Sequence, residues 1–175
     1  MPQGSSLKRS KAYQMKLIIL TPCAVLFALA SLPAAAGSSP AADSHDAAGF
    51  SAGESGDAKK PSRIIQVTMQ ERDGKMLFAP DRVEIRKGEQ IKFVLHNSGE
   101  LDHEFVLATA QENSEHAAMM KENPEMRHAD SNARRVAPKQ TSELVWKFTK
   151  AGEFEFACLI PGHRDAGMFG AVDVK

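Results

Sequence analysis

Apolar and polar residues alternate along most of the chain from Ser62 onward, which is the pattern of β-strands with one buried face. The segment RIIQVTMQ, for example, places Ile65, Val67 and Met69 on one side. Turn-forming residues such as Gly, Pro, Asn and Asp separate the successive runs. About seven or eight short strands of this kind predict an all-β fold, an antiparallel sandwich or barrel. The alternating runs are RIIQVTMQ, DRVEIRKGEQ, IKFVLHN, EFVLAT, SELVWKFT, GEFEFAC and MFGAVDVK.

One stretch lacks this alternation. Residues 110–133, AQENSEHAAMMKENPEMRHADSNA, favour a helix that runs to about Glu122. Asn123 precedes Pro124, and a residue before proline disfavours the helical conformation, so the helix is expected to end there. The β-fold is therefore predicted to carry a short helical insertion.

The N-terminus has the layout of an export signal. Basic residues precede the apolar run LIILTPCAVLFALA, and SLPAAAG follows with small residues that suit cleavage after Ala36. Residues 1–36 are accordingly predicted to be a signal peptide, with Met15 as an alternative start, and the protein to be periplasmic. The apolar run is short for a membrane span, so a retained segment that attaches the protein to the membrane is the alternative. Residues 37–61 are small and polar, and they are predicted to form a flexible linker before a domain at 62–175.

The charge balance excludes one class of partner. The chain has 22 basic and 22 acidic residues. Four of the basic residues lie before Ala36, so removal of the signal leaves 18 basic against 22 acidic residues, a net charge of about −4. A mildly acidic protein without an RNP, zinc-finger or P-loop motif is not expected to bind nucleic acid.

The segment CLIPGHRDAGM carries three soft donors at even spacing. Removal of the signal peptide also removes Cys23, which leaves Cys158 as the single cysteine. An exported protein normally pairs its cysteines, so a lone one indicates an intermolecular bridge, a reactive thiol or a metal ligand. Cys158, His163 and Met168 follow the pattern C-x4-H-x4-M, and a loop of this length can bring a thiolate, an imidazole and a thioether to one point. A fourth donor has to come from elsewhere, and His103 in NSGELDHEF is the candidate.

Two histidines, a cysteine and a weak axial methionine are the donor set of a type-1, or blue, copper site. Thiolate and thioether favour Cu(I), whereas imidazole accepts both Cu(I) and Cu(II). Zinc is the alternative metal, although its structural sites are built from cysteine and histidine. Taken singly, each residue also has an ordinary explanation: His103 as a strand-end histidine, Met168 as a core residue and Cys158 as a small buried hydrophobe. Their combination on a β-rich exported chain favours copper.

Three segments resemble the ligand-bearing parts of the cupredoxins, the superfamily of plastocyanin and azurin. They are NSGELDHEF, GEFEFACLIPGH and GMFGAVDV, and the resemblance covers residues 62–175. It implies an eight-stranded Greek-key β-sandwich with copper at one end, in which Asn97 ties the two ligand loops together by hydrogen bonds. The four ligands that it implies are His103, Cys158, His163 and Met168.

The insertion concentrates further soft donors in a polar segment. Thioethers and imidazoles suit Cu(I), and the segment resembles the Met/His-rich insertion of periplasmic cupredoxins associated with bacterial copper resistance. Residues 116, 119 and 120 have the spacing of one helical face. Core packing of the methionines is the alternative. The candidate donors of a second Cu(I) site are His116, Met119, Met120, Met126 and His128.

The resulting hypothesis is a periplasmic cupredoxin that binds copper as Cu(I) or Cu(II) and acts in copper tolerance and homeostasis. Its partners would be copper ions and a periplasmic copper-transfer protein. The alternative is a blue-copper electron-transfer protein that docks to a redox partner through apolar residues near His163. An enzyme is not expected, because four protein ligands leave no open position for a substrate.

Overall fold

The computed structural model describes residues 49–124 and 130–175, which form two five-stranded β-sheets and one helix. One sheet contains the first, eighth, fifth, second and third strands in that order, and the other contains the fourth, tenth, ninth, sixth and seventh. The elements are β1 (Glu54–Ser55), β2 (Arg63–Arg72), β3 (Lys75–Ala79), β4 (Arg82–Ile85), β5 (Gln90–Asn97), β6 (His103–Ala108), α1 (Ala110–Glu122), β7 (Ala133–Val136), β8 (Thr141–Lys147), β9 (Gly152–Ala157) and β10 (Phe169–Val174).

The chain crosses repeatedly from one sheet to the other, which is the connectivity of a Greek-key sandwich. Crossings follow β3, β4, β5, β7 and β8. Most neighbouring strands are antiparallel, but β2 runs parallel to β5 and β10 runs parallel to β4. The predicted all-β sandwich is confirmed. The structure describes ten strands in the ranges above, and the additional ones, β1, β3 and β7, are short strands held by pairing with longer neighbours.

The inner faces of the two sheets meet in one aromatic core. Phe105 of β6 stacks on Phe156 of β9 with ring centroids 5.1 Å apart, and Phe78 of β3 meets both rings edge-on. The same buried cluster includes Cys158 and Met168. One end of the core therefore reaches the segment that carries the predicted metal ligands.

Residues 49–61 pack on the sandwich, although the sequence predicts a flexible linker there. The strand β1 pairs with β8, and the ring of Phe50 lies edge-on to Trp146 with centroids 5.3 Å apart. Gly53 approaches the backbone of β8 so closely that an added Cβ would lie 2.1 Å from the Lys147 carbonyl oxygen. The small residues of this segment thus allow a close backbone contact, and composition alone does not separate that role from flexibility.

The predicted boundary at residue 62 consequently lies inside a packed segment. The predicted signal peptide, residues 1–36 with the alternative start at Met15, lies outside the described residues, as do residues 37–48 of the predicted linker. Among the residues that are described, no helix is long and apolar enough to cross a membrane.

Helix α1 begins and ends where the sequence predicts. Thr109 is its N-cap: the Thr109 hydroxyl accepts a hydrogen bond from the Glu112 backbone N–H (3.2 Å), and the Glu112 carboxylate accepts one from the Thr109 N–H (2.8 Å). This reciprocal pair is a capping box, which satisfies donors at the first turn of the helix. The Glu112 carboxylate also accepts the hydroxyl of Ser51 at 2.5 Å, so the helix start is tied to the segment before β1. Asn123 forms the C-cap.

Candidate metal centre

His103, Cys158 and His163 bring their donor atoms to one point at an end of the sandwich. All three side chains are buried. His103 Nδ1 lies 3.3 Å from His163 Nδ1, which in turn lies 3.3 Å from Cys158 Sγ. The three donor atoms lie within 4.8 Å of one another. Two imidazole nitrogens and one sulfur at this spacing fit a single metal ion.

Strand pairing explains why residues so distant in sequence meet. His103 begins β6, and Cys158 directly follows β9. These two strands are antiparallel neighbours, with Val106 opposite Ala157, so the start of one lies beside the end of the other. The backbone N–H of Glu104 donates a hydrogen bond to Cys158 Sγ at 3.3 Å.

The loop of residues 158–168, which we call the ligand loop, is closed by its own backbone. The Cys158 N–H donates to the Met168 carbonyl (3.0 Å), and the Met168 N–H donates to the His163 carbonyl (3.1 Å). Gly162 has φ of +88°, a left-handed conformation that favours glycine. These features form a tight turn that points His163 back toward Cys158.

Met168 lies next to this group of donors. Its side chain is fully buried in the same apolar cluster as Cys158, and the backbone hydrogen bond joins the two residues directly. The structure therefore brings three of the predicted ligands together through their donor atoms and places the fourth residue beside them. The role of its thioether as an axial ligand stays a prediction.

Burial sets the protonation of the three donors. Burial raises the pKa of the Cys158 thiol to about 12, and hydrogen bonds from the backbone of Glu104 and Ile160 only partly oppose this shift. The thiol therefore keeps its proton at neutral pH until a cation replaces it. Burial also lowers the pKa of His103 and of His163, which keeps both imidazoles neutral and able to donate a lone pair. A thiolate with two imidazoles is a donor set suited to copper.

Glu71 also contacts this site, and it is not among the residues predicted from the sequence. Its Oε1 atom lies 2.8 Å from His103 Nε2. Burial alone would raise the pKa of the Glu71 carboxyl, but hydrogen bonds from the backbone of Glu100 and Leu101 and from His103 hold it below its ordinary value, so the group is an anion at neutral pH. Glu71 lies near the end of β2 in the opposite sheet, and no local motif marks it.

Asn97 holds the turn before His103 rather than the two ligand loops together. Its Nδ2 donates to the carbonyl oxygens of Leu101 (2.7 Å) and Val136 (2.9 Å), and its Oδ1 accepts the Gly99 N–H at 2.9 Å. In the described part of the chain, these side-chain bonds join the turn to β7 and do not reach the ligand loop. The family resemblance implied that Asn97 ties the two ligand loops together, and this expectation is therefore corrected.

Two of the five candidate donors of the second site line a common cavity. His116 and Met119 lie on the wall of a cavity of about 390 Å³ that Asp130 also lines. Met119 is 53% exposed, whereas Met120 is only 4% exposed and is absent from the wall of this cavity. The two candidates that lie outside the described residues are Met126 and His128.

The way α1 docks explains why consecutive methionines differ. Residues 113, 117 and 120 recur at helical spacing, and this face turns toward the sandwich. Asn113 is buried, and Ala117 packs against the cluster that contains Leu159. Met120 belongs to this inner face, so it has the packing role that was the alternative to metal binding. The expectation that residues 116, 119 and 120 share one face does not hold for Met120.

Comparison with known proteins identifies the family of this chain. The sequence model of copper-binding proteins of the plastocyanin/azurin family matches residues 65–175. The copper-resistant cuproprotein CopI of Rubrivivax gelatinosus is 49% identical over 123 residues, which cover 70% of this chain and 73% of that protein. CopI of Pseudomonas aeruginosa is 35% identical over 163 residues, which cover 77% of this chain and 88% of that protein.

Solved structures agree on the fold. Reduced auracyanin from Roseiflexus castenholzii superposes with a TM-score of 0.55 at 17% identity, over 66% of this chain and 99% of that one.

The match to the family sequence model runs from within β2 to the end of the chain, and it includes all three residues of the buried donor group. The chain therefore belongs to the plastocyanin/azurin family of copper-binding proteins, the cupredoxins.

Proposed function

We propose that this protein binds one copper ion at a type-1 site and acts in copper tolerance. The proposed equatorial ligands are His103, Cys158 and His163, with Met168 as the weak axial ligand. The observation that carries the proposal is the buried triangle of two imidazole nitrogens and one sulfur, all within 4.8 Å. Membership in a copper-binding family supports copper over zinc.

The residues around the centre hold the donors in one arrangement. Cys158 Sγ already accepts the Glu104 N–H, and the closed ligand loop fixes His163, so the donors are oriented by the protein itself. Burial of the three ligand side chains keeps bulk water out. Copper supplies one-electron exchange between Cu(I) and Cu(II), and a thiolate with imidazoles suits both states. We propose binding rather than catalysis, because a donor set closed by protein ligands offers no position for a substrate.

Copper tolerance is the role that the relatives favour. Two relatives, at 49% and 35% identity, carry the name copper-resistant cuproprotein. Helix α1 also supports copper tolerance, because it carries the soft donors His116 and Met119. An electron carrier needs only the type-1 site.

We place a second Cu(I) site at the cavity lined by His116 and Met119. An imidazole and a thioether are donors that Cu(I) prefers. Asn113 lies on the same wall, and its buried Oδ1 has no hydrogen-bond partner among the described residues. The exposure of Met119 makes this site more open to exchange than the buried centre. Met126 and His128 are further donors proposed from the sequence alone.

Electron transfer is the second candidate function. Leu101 is 45% exposed two residues before His103, and Phe169 is 47% exposed directly after Met168. Exposed apolar side chains beside both ligand segments suit transient docking of a redox protein.

We further propose that the protein is exported to the periplasm by residues 1–36. The basic residues, apolar run and small-residue cleavage site in this segment support export. Cell fractionation, with N-terminal sequencing of the mature protein, tests the location and the cleavage after Ala36.

Titration of the purified protein with Cu(II) tests the type-1 site. We expect an intense visible absorption band from thiolate-to-Cu(II) charge transfer that saturates at one copper per chain. Cys158→Ala and His103→Ala should each abolish this band. His96→Ala is the matched control, because it removes an exposed histidine that contacts Thr141, and it should keep the band. A colourless wild-type complex would overturn the proposed site.

Growth against copper concentration separates the two roles. Deletion of the gene should lower copper tolerance, and the wild-type gene should restore it while the gene for Cys158→Ala does not. Full copper tolerance in the deletion strain, together with a respiratory defect, would favour electron transfer instead.

A further inference from the structure

The carboxylate of Glu71 is held firmly against His103. Its Oε1 lies 2.8 Å from His103 Nε2 and accepts the Leu101 N–H at 3.1 Å, while its Oε2 accepts the Glu100 N–H at 3.0 Å. The turn that leads into β6 thus wraps around a carboxylate supplied by the opposite sheet. Each oxygen has a defined donor, so the contact with His103 has a fixed geometry.

The turn is shaped to admit this carboxylate. A Cβ added to Gly99 would lie 2.2 Å from Glu71 Oε2, closer than any side chain can approach. Glycine at this position therefore leaves the space that the Glu71 carboxylate occupies. Asn97 then fixes the Gly99 N–H, so the space is maintained by the turn itself.

We propose that Glu71 is a positioning residue of the copper centre. Its carboxylate holds His103 in the tautomer that leaves Nδ1 free, and its negative charge favours Cu(II) over Cu(I). This inference rests on the proposed type-1 site. A carboxylate can only accept hydrogen bonds, so the hydrogen of the neutral imidazole has to sit on Nε2. The lone pair is then on Nδ1, the atom that lies 3.3 Å from His163 Nδ1.

In the part of the chain that the structure describes, no lysine or arginine forms an ion pair with the Glu71 carboxylate, whose partner is His103. Asp102 pairs with Arg135 at 3.0 Å, and Glu100 pairs with Lys139 at 2.5 Å, so these neighbouring carboxylates are balanced by cations. Within the described ranges, the Glu71 carboxylate accepts hydrogen bonds from the backbone of Glu100, Leu101 and Glu71 itself and from His103. The carboxylate contacts the ring nitrogen that does not face the metal. A negative charge at this position stabilises the more highly charged Cu(II) state more than Cu(I).

The variant Glu71→Gln tests the charge, because glutamine has nearly the same shape and no charge. A redox titration gives the ratio of Cu(I) to Cu(II) affinity, and we expect this ratio to rise by about tenfold or more in Glu71→Gln. Glu100→Gln is the matched control: it removes a carboxylate from the same turn that contacts Lys139 instead, and it should change the ratio by less than about twofold. An unchanged ratio in Glu71→Gln would overturn the proposal.

Nitrogen-15 NMR of the histidines in the copper-free protein tests the tautomer without any metal. We expect the His103 proton on Nε2 in the wild type and a mixture of both tautomers in Glu71→Gln. A proton on Nδ1 in the wild type overturns the proposal, and this result does not depend on whether the variant folds. Failure of the type-1 site is distinguishable, because the wild type would then lack the charge-transfer band, whatever tautomer His103 adopts.

Discussion

Arg164, the residue after His163, forms a two-point ion pair with Glu155 of β9, with both nitrogen–oxygen distances at 3.1 Å. Glu155 is 6% exposed, and its Oε1 also accepts a hydrogen bond from Asn113 Nδ2 of helix α1 at 3.2 Å. One buried carboxylate therefore connects the helix with the ligand loop. The insertion braces the segment that carries His163.

Loss of this carboxylate should destabilise the copper-free protein. We expect Glu155→Gln to lower the free energy of unfolding by about 1–3 kcal/mol, because it leaves a partly buried guanidinium without its charged partner. Urea denaturation measures this difference. The control is Lys121→Ala, which breaks the exposed ion pair with Asp165 (2.7 Å) between the same helix and loop and should cost less than about 1 kcal/mol. Equal effects of the two variants would contradict a bracing role for Glu155.

The capping box should make the stability of the protein depend on pH. Burial raises the pKa of Glu112, but hydrogen bonds from Ser51 and Thr109 outweigh it and bring the pKa below its ordinary value of 4.5. A carboxyl with a lowered folded-state pKa contributes stability above about pH 4.5 and loses it as the pH falls through the folded value. We expect Glu112→Gln to be less stable than the wild type at pH 7, with a difference that narrows as the pH drops below 4.5.

Urea denaturation at several pH values measures this narrowing. Thr109→Ala should cost about 1 kcal/mol at pH 7 through loss of the cap. Glu122→Gln, which changes a carboxylate at the other end of the helix, serves as the control. If the gap between the wild type and Glu112→Gln were the same at pH 7 and pH 3.5, the ionised capping carboxylate would not be the cause.

The two neighbouring methionines of α1 should respond differently to replacement by alanine. In a Cys158→Ala background, which removes the thiolate of the first site, we expect Met119→Ala to weaken Cu(I) binding by about tenfold or more and to change stability by less than about 0.5 kcal/mol. Met120→Ala should keep the Cu(I) affinity of the folded protein and lower stability by about 2–5 kcal/mol, because it empties a buried position.

Competition with a chromophoric Cu(I) chelator measures the affinity, and thermal or urea denaturation measures the stability. His116→Ala should follow the Met119→Ala result. Tight Cu(I) binding that survives both His116→Ala and Met119→Ala would place the second site elsewhere.

The segment before β2 should contribute to stability through its close contact with β8. Gly53→Ala should lower the free energy of unfolding by about 2–4 kcal/mol, because the new Cβ meets the Lys147 carbonyl and φ is +138°. Gly74→Ala is the matched control: φ is +74° there, but the space around it is open, so the cost should be about 1 kcal/mol. Similar losses in both variants would mean that β1 separates from β8 at little cost.

Features that depend on neighbours in sequence were predictable. The alternation along β2, β5 and β8 reflects one buried face per strand, so it indicated the sandwich directly. Cys158, His163 and Met168 share one loop, and their spacing identified them as candidate ligands without knowledge of the fold. The C-terminal end of α1 followed from the properties of Asn123 and Pro124.

Features that depend on how elements dock were not predictable. Glu71 reaches His103 across the two sheets, and no local pattern encodes that approach. Met119 and Met120 are chemically identical, and only the packing of α1 on the sandwich decides which of them is exposed. The ion pair of Arg164 with Glu155 likewise depends on the packing of β9 beside the ligand loop, which no local sequence pattern indicates.

The strands β6 and β7 pair antiparallel, with His103 opposite Val136 and Val106 opposite Ala133, so the whole insertion is the connection of a β-hairpin at the edge of its sheet. The entropic cost of closing such a connection grows only slowly with its length. Other segments are therefore compatible with this hairpin, provided that they keep the contact of Asn113 with Glu155 that braces the ligand loop. The rest of the connection between Ala108 and Ala133 is the place in the fold at which an engineer could graft a new sequence.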